Sequence, residues 1–237
     1  PLTRWDKVIL RVMRIFSRLS LRLLQTLGVW LGIVASWFPG KHVRVIEQNL
    51  RLCYPEQPEA WIRKTVRQNL ISTGQTAFEF AKTWGMPPEY SIEHIRQVTN
   101  GHLFLDALKS GRGVMAITPH YGTWEFMNAW LNQHAPAVIM YKPGKDRGVD
   151  AFVREARSRL SAHMVPTDER GVKMMLKCLK TGGFTIILPD HVPADNGGVY
   201  VPFFGVSTLT TTLTPRLIQK TKCLVVCMTC TRLPGQD

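Results

Sequence analysis

At 237 residues, 45% of them hydrophobic and 20% charged, the chain is long enough for one sizeable core and too apolar to stay disordered. Thirty Lys and Arg against 17 Asp and Glu give a formal charge of +13, which points to an anionic partner: nucleic acid, an acidic bilayer surface, or a phosphorylated or acidic substrate. The five cysteines form no paired framework, so nothing demands an oxidising compartment.

Residues 1–22 carry Arg4, Lys7, Arg11, Arg14, Arg18 and Arg22 at spacings of three and four. On a helix these fall within an arc of roughly 80°. Val8, Ile9, Val12, Ile15, Phe16, Leu19 and Leu23 cover much of the rest. A basic stripe backed by apolar residues suits a helix lying on an anionic bilayer. Nucleic acid is disfavoured, because no zinc-finger or RNP-like motif and no aromatic-interleaved basic patch accompanies the stripe. Residues 23–38 are uncharged and end at Pro39-Gly40. As a helix they reach about 24 Å, short of the roughly 30 Å hydrocarbon core, so a monotopic or single-pass anchor is expected rather than a cleavable signal. Residues 1–40 are therefore read as a membrane-anchoring segment, and 41–237 as one domain with a helical lead-in over 41–90 and an α/β core over 91–237.

Two amphipathic helices form the lead-in. Val43, Ile46, Leu50 and Cys53 mark the first; Ile62, Val66, Leu70, Ala77, Phe80 and Trp84 mark a longer one that begins after Pro58. From Ile92 the pattern becomes β/α. It predicts a short strand over Ile92–Val98, a helix over His102–Lys109, and a strand over Val114–Thr118. A helix opening at Trp124 follows, then a strand over Ala137–Tyr141, a helix over Val149–Ser161 and an extended piece at His163–Pro166. A helix over Glu169–Lys180 leads to a strand over Phe184–Leu188, an extended Val199–Phe204, a helix to Lys220, and a last strand over Cys223–Thr229. Such alternation argues for an α/β fold with a mostly parallel sheet and helices on both faces. Cys223, Cys227 and Cys230 lie in the last apolar run without His or Asp neighbours and are read as buried small side chains, not metal ligands. Starting at Pro1 and stopping at Asp237, the chain is expected to be part of a longer protein.

The chemistry is expected between Gly113 and Glu125. His120 sits at the carboxyl end of a strand and Glu125 in the first turn of the next helix, at the sheet edge where α/β folds bind ligands. A histidine and a carboxylate folded back on each other make an oriented general base, and Gly122 permits a close backbone approach. Asp190, after Phe184–Leu188, also lies at a strand's carboxyl end. Arg154 and Arg157 lie about one turn apart on a helix, where a solvated surface is the default reading.

His120-Tyr121-Gly122-Thr123-Trp124-Glu125 after an apolar strand resembles the H-x4-D/E signature of the lipid A late acyltransferases (lauroyl and myristoyl transferase type), within the glycerolipid acyltransferase superfamily. Pro189-Asp190-His191 is similar to the family's P-D-Q, and Val201-Pro202-Phe203-Phe204-Gly205 to its F-F-G segment, in the expected order. Asn49–Pro55 is similar to a stretch the family carries ahead of its active site. His191 departs from the commoner Gln.

The resemblance implies an O-acyltransferase that moves a fatty acyl chain from a thioester to a hydroxyl of a phosphorylated glycolipid, a lipid A precursor. The donor it implies is acyl carrier protein rather than coenzyme A, with no other cofactor and no metal. It places the protein on the cytoplasmic face of a bacterial inner membrane. His120 and Glu125 would be catalytic. Arg157 would pair with acceptor phosphate or polarise the thioester carbonyl, and Asp190 would position the acceptor or brace the site. The alternatives are an acyl-CoA-dependent transferase acting on another membrane lipid and, from a different class, a non-catalytic membrane-bound module. A Ser or Cys acyl-enzyme is disfavoured by the lack of G-x-S-x-G and of any Cys near His120 in sequence.

Overall fold

The computed structural model describes residues 2–38 and 40–233. The expected end of the apolar stretch at Pro39 lies outside the described residues. Helices lead the chain: α1 (Arg4–Arg18), α2 (Leu21–Ala35), α3 (Lys41–Cys53), α4 (Glu59–Gly85), α5 (Pro88–Glu93) and α6 (Gly101–Lys109). Strands and helices then alternate through β1 (Val114–Ile117), α7 (Trp124–His134), β2 (Ala137–Tyr141), α8 (Arg147–Ser158), β3 (His163–Pro166), α9 (Glu169–Lys180) and β4 (Phe184–Ile187). A hairpin of β5 (Gly198–Phe203) and β6 (Val206–Thr211) follows, then α10 (Leu213–Thr221) and β7 (Leu224–Cys227).

The main sheet runs β3-β2-β4-β1-β7 with every pairing parallel. Its strands alternate side chains between two cores, as a strand's period of two requires. Val114, Ala116, Phe184 and Ile186 pack with Phe104 of α6 and Leu131 of α7. Met115 and Val165 face the other way, onto Met175 and Leu179 of α9 and Leu217 of α10. Helices thus cover both faces, and the central strands β1 and β4 are apolar or buried throughout because both of their sides are covered. The β5–β6 hairpin stands apart and is antiparallel.

One expected strand is not there. Residues 92–98 make no sheet pairing; Ile92 instead lies in α5, which starts with a proline in its first turn. Pro88 presets the helical φ and has no N–H to leave unpaired, so the helix outcompetes a short extended run.

The first two helices are part of the globular body. Thr3 and Asp6 form a reciprocal cap at the start of α1, with bonds of 3.1 and 2.7 Å. Leu19 is extended, Ser20 caps the Leu23 N–H, and α2 leaves α1 at an angle of 117°. Among the described residues no single helix is long and apolar enough to cross a membrane. Arg14 reaches Glu155 of α8 at 2.9 Å, and α2 lies against α4 at backbone contact. That closeness depends on Gly28 and Gly32: a Cβ on Gly28 would stand 2.5 Å from the Gln75 Cα, and one on Gly32 2.4 Å from the Ile71 Cα. Gly28→Val must push the helices apart. It is expected to cost about 1–3 kcal/mol or more, seen as a lowered melting temperature; an unchanged melt would mean that α2 is not seated as described.

Candidate active site

β1 and β4 are neighbours, with Ile117 opposite Ile187, and the Thr118 N–H donates to the Ile187 carbonyl at 3.1 Å. His120 and Asp190 lie equally far beyond that pair, so the register delivers them side by side at the carboxyl edge of the sheet. The Asp190 carboxylate takes both of the donors that His120 offers. Its Oδ2 accepts the His120 backbone N–H at 2.7 Å, and its Oδ1 lies 2.8 Å from the ring Nδ1. Burial alone would raise the Asp190 carboxyl, but the two bonds from His120, with the ring's attraction whenever it is protonated, outweigh it and hold the carboxyl below its ordinary value. With Nδ1–H donating to the carboxylate, the ring's Nε2 keeps its lone pair, which is the arrangement of an oriented general base.

The carboxylate oriented against His120 is therefore Asp190, not Glu125. Glu125 does open α7, but its side chain meets Arg157 of α8 in a buried ion pair, with side-chain exposures of 9% and 16%. From the first turn of α7 it faces the neighbouring helix rather than returning over the turn to His120. Arg157, read first as surface, is the most buried guanidinium of the site, whereas Arg154 is exposed. Among the described residues the Nε of Arg157 finds no hydrogen-bond partner, and neither do the Nδ2 of Asn128 and the indole N–H of Trp84.

All three of those side chains line one cavity of about 310 Å³, with His120 and Glu125 also in its wall. The rest of the lining is mostly apolar and includes Leu131, Ile139, Met140 and Leu188. Tyr141 lines it too, yet its phenol donates to Asp150 at 2.6 Å. Burial, with that acceptor, pushes its pKa up to about 12, so it stays protonated and is no rival base. An aromatic frame holds the His120 ring: Trp124 meets it edge-on at 5.1 Å between centroids, and His191 stacks on it at 4.1 Å. Phe80 of α4 braces Trp124 in turn, at 5.1 Å. A buried ion pair, a His–Asp pair and an apolar cavity thus meet at one sheet edge.

From residue 2 to residue 236 the sequence matches the family of bacterial lipid A biosynthesis acyltransferases. The chain belongs to that family. Its relatives include a lipid A biosynthesis lauroyltransferase of Escherichia coli (strain K12), 29% identical over 186 residues, which are 78% of this chain and 60% of the relative. A lipid A biosynthesis acyltransferase of Haemophilus influenzae (strain ATCC 51907 / DSM 11121 / KW20 / Rd) is 27% identical over 173 residues, 73% of this chain and 54% of that protein. The matched part thus spans between half and two thirds of each relative's length.

In this lipid A acyltransferase family member, several residues around the His120 turn had no signal in the sequence. Phe80 and Trp84 read as core positions of an amphipathic helix, yet both line the cavity. Asn128 sits at an ordinary helical position. Among the three late cysteines, Cys223 is buried as expected, but Cys227 is exposed and the half-buried Cys230 accepts the Thr123 hydroxyl through its sulfur at 3.2 Å. Gly122 has φ +66, and a Cβ there would meet the Cys230 carbonyl at 2.1 Å, so the close approach allowed by this glycine is to the chain's own last segment. Among the described residues no group of three His, Cys, Asp or Glu side chains is placed to hold a metal ion.

Proposed function

We propose that this protein is an O-acyltransferase that moves a fatty acyl chain from a thioester to a hydroxyl of a phosphorylated glycolipid, a lipid A precursor. The observation that carries the reading is the His120–Asp190 pair beside a mostly apolar cavity of about 310 Å³. Such a cavity suits an acyl chain, with the few polar groups of its wall fixing orientation. The names of the two relatives support lipid A chemistry as the setting.

In this mechanism His120 Nε2 takes the proton from the acceptor hydroxyl as its oxygen bonds to the thioester carbonyl carbon. The carbonyl π electrons move onto oxygen, giving a tetrahedral oxyanion. Collapse re-forms the carbonyl and breaks the C–S bond, and the imidazolium returns its proton to the departing sulfur. Asp190 holds the ring in the useful tautomer and stabilises the cation. Arg157, with the buried donors of Asn128 and Trp84, is assigned to the oxyanion; Glu125 holds the guanidinium in place. Acyl carrier protein is the proposed donor. The test is mass spectrometry of lipid products after incubation with acyl thioesters and phosphorylated glycolipid acceptors; no acyl product from any donor would defeat the reading.

The same proposal places the protein on the cytoplasmic face of a bacterial inner membrane. Arg4, Lys7 and Arg11 are exposed on α1 beside exposed Trp5, Val8, Val12 and Ile15, and Trp30 and Trp37 are exposed on and just after α2. A basic stripe next to an apolar one is the surface of a helix lying in the headgroup region. Removing α1 and α2 would uncover α4, so neutralisation is the cleaner test. Changing Arg4, Lys7 and Arg11 together to Gln is expected to weaken binding to anionic vesicles about 100-fold, at about 1 kcal/mol per charge. Wild-type binding should fall with salt. Equal affinity of the two proteins would rule out the stripe as the anchor.

A further inference from the structure

The turn that carries His120 is held on its far side by a buried polar clamp with no place in the mechanism above. Glu79 of α4 is 2% exposed. Its two oxygens accept from Arg232 Nε and from one terminal nitrogen of the same guanidinium, each at 2.7 Å, and one oxygen also accepts from Gln25 of α2 at 2.9 Å. Arg232 makes two further bonds to α4: one terminal nitrogen donates to Ser72 Oγ at 3.1 Å, the other to Thr76 Oγ1 at 2.6 Å. A guanidinium has no acceptor, so Thr76 must accept from it and direct its own proton elsewhere. That single proton is shared between the Ser72 carbonyl at 3.0 Å and the Gly122 carbonyl at 3.2 Å. The same C-terminal segment grips the turn through its backbone, since the Cys230 carbonyl accepts the Thr123 N–H at 2.8 Å. Gly122 and Thr123 lie between His120 and Trp124, whose rings are in contact.

We propose that Thr76, with its hydroxyl set by the Glu79–Arg232 pair, is a positioning residue for His120: it fixes the Gly122 carbonyl and with it the height of the imidazole over the cavity. The pair is two-pronged and shielded, so it supplies direction as well as attraction. The second half of α4 serves both purposes: it carries Ser72, Thr76 and Glu79 for the clamp and Phe80 and Trp84 for the cavity wall.

The test uses two variants in the full chain. Thr76→Val keeps the shape, leaves Glu79 and Arg232 paired, and removes only the hydroxyl. Arg232→Lys keeps the charge but loses the fork. Both are expected to lower kcat about 10- to 100-fold with KM for donor and acceptor within about twofold, because misplacement of a reacting group acts on the chemical step. Amide exchange at Tyr121 and Thr123 should quicken, while that of β1, β4 and the rest of α4 stays as in the wild type. The kinetic arm rests on the acyl-transfer reading, and the exchange arm does not. A wild type without transfer activity would defeat that reading alone, and exchange would still decide the clamp. Wild-type exchange at the turn in Thr76→Val, unchanged kcat with a loosened turn, or faster exchange throughout the fold would each overturn the proposal.

Discussion

Asp190→Asn is expected to lower acyl transfer by about 10³- to 10⁴-fold while leaving the sheet, the cavity and thioester binding in place. The reason is specific to the pair. The carboxylate accepts from both the backbone N–H and the ring Nδ1 of His120, at 2.7 and 2.8 Å. An amide of the same shape offers one acceptor and one NH₂, so it cannot satisfy both donors. With its NH₂ toward Nδ1 it would favour the tautomer whose Nε2 already carries the proton and cannot act as base. It also removes the charge that stabilises the imidazolium, a loss worth about 10⁴ where a His–Asp pair drives acyl transfer. His120→Ala removes the base itself, for an expected loss of about 10²- to 10⁴-fold. Rates in both variants, measured on protein with wild-type circular dichroism, check the assignment. Near-normal turnover in Asp190→Asn would show that another group orients the ring.

The distance between sequence and structure is clearest at this pair. His120 and Asp190 were each legible as residues at the carboxyl end of a strand, because apolar runs bounded by Gly113 and Pro119, or by Gly183 and Pro189, announce strands and their ends. That the two touch depends on β4 lying beside β1 in the register Ile117↔Ile187, and nothing local in either segment encodes a neighbour so distant in the chain. Proximity in sequence made Glu125 the natural partner for His120, but its side chain leaves the first turn of α7 toward α8. Arg157 carried the matching ambiguity, since a lone Arg on an amphipathic helix looks alike whether its face meets water or a buried carboxylate. The parallel sheet with helices on both faces was readable from the alternation of strands and helices. The Ile92–Val98 strand was a misreading: only Ile92, Ile95 and Val98 of its seven residues are apolar, and they recur every third residue instead of alternating as a strand's do. Arg232 and Glu79 were invisible for the same reason as the dyad: their bond joins residues 153 positions apart in the chain.

Glu125→Gln is expected to be the most destabilising single change at the site and, paired with a second change, the most informative. Glu125 and Arg157 are both well shielded, and the guanidinium already has one nitrogen, Nε, without a partner among the described residues. Removing the carboxylate charge strands a permanent cation in the wall of a mostly apolar cavity, which costs about 3–5 kcal/mol when a buried pair is broken from one side. In a chain of this length that corresponds to a fall in melting temperature of roughly 6–20 °C. Replacing both partners, as Glu125→Gln with Arg157→Met, leaves no buried charge and should recover much of the lost stability, because the penalty belongs to the orphan and not to the absent pair. Activity separates the two roles open to the pair. If Arg157 serves the oxyanion and Glu125 only holds it, the double variant regains its melting temperature yet stays deficient in kcat. Arg157→Lys, with its charge kept and its fork lost, should fall between wild type and double variant in rate. A double variant that recovers both stability and turnover would make the pair a purely structural tie between α7 and α8, and the oxyanion would then have to be met by other donors of the wall, with Asn128 the first to test.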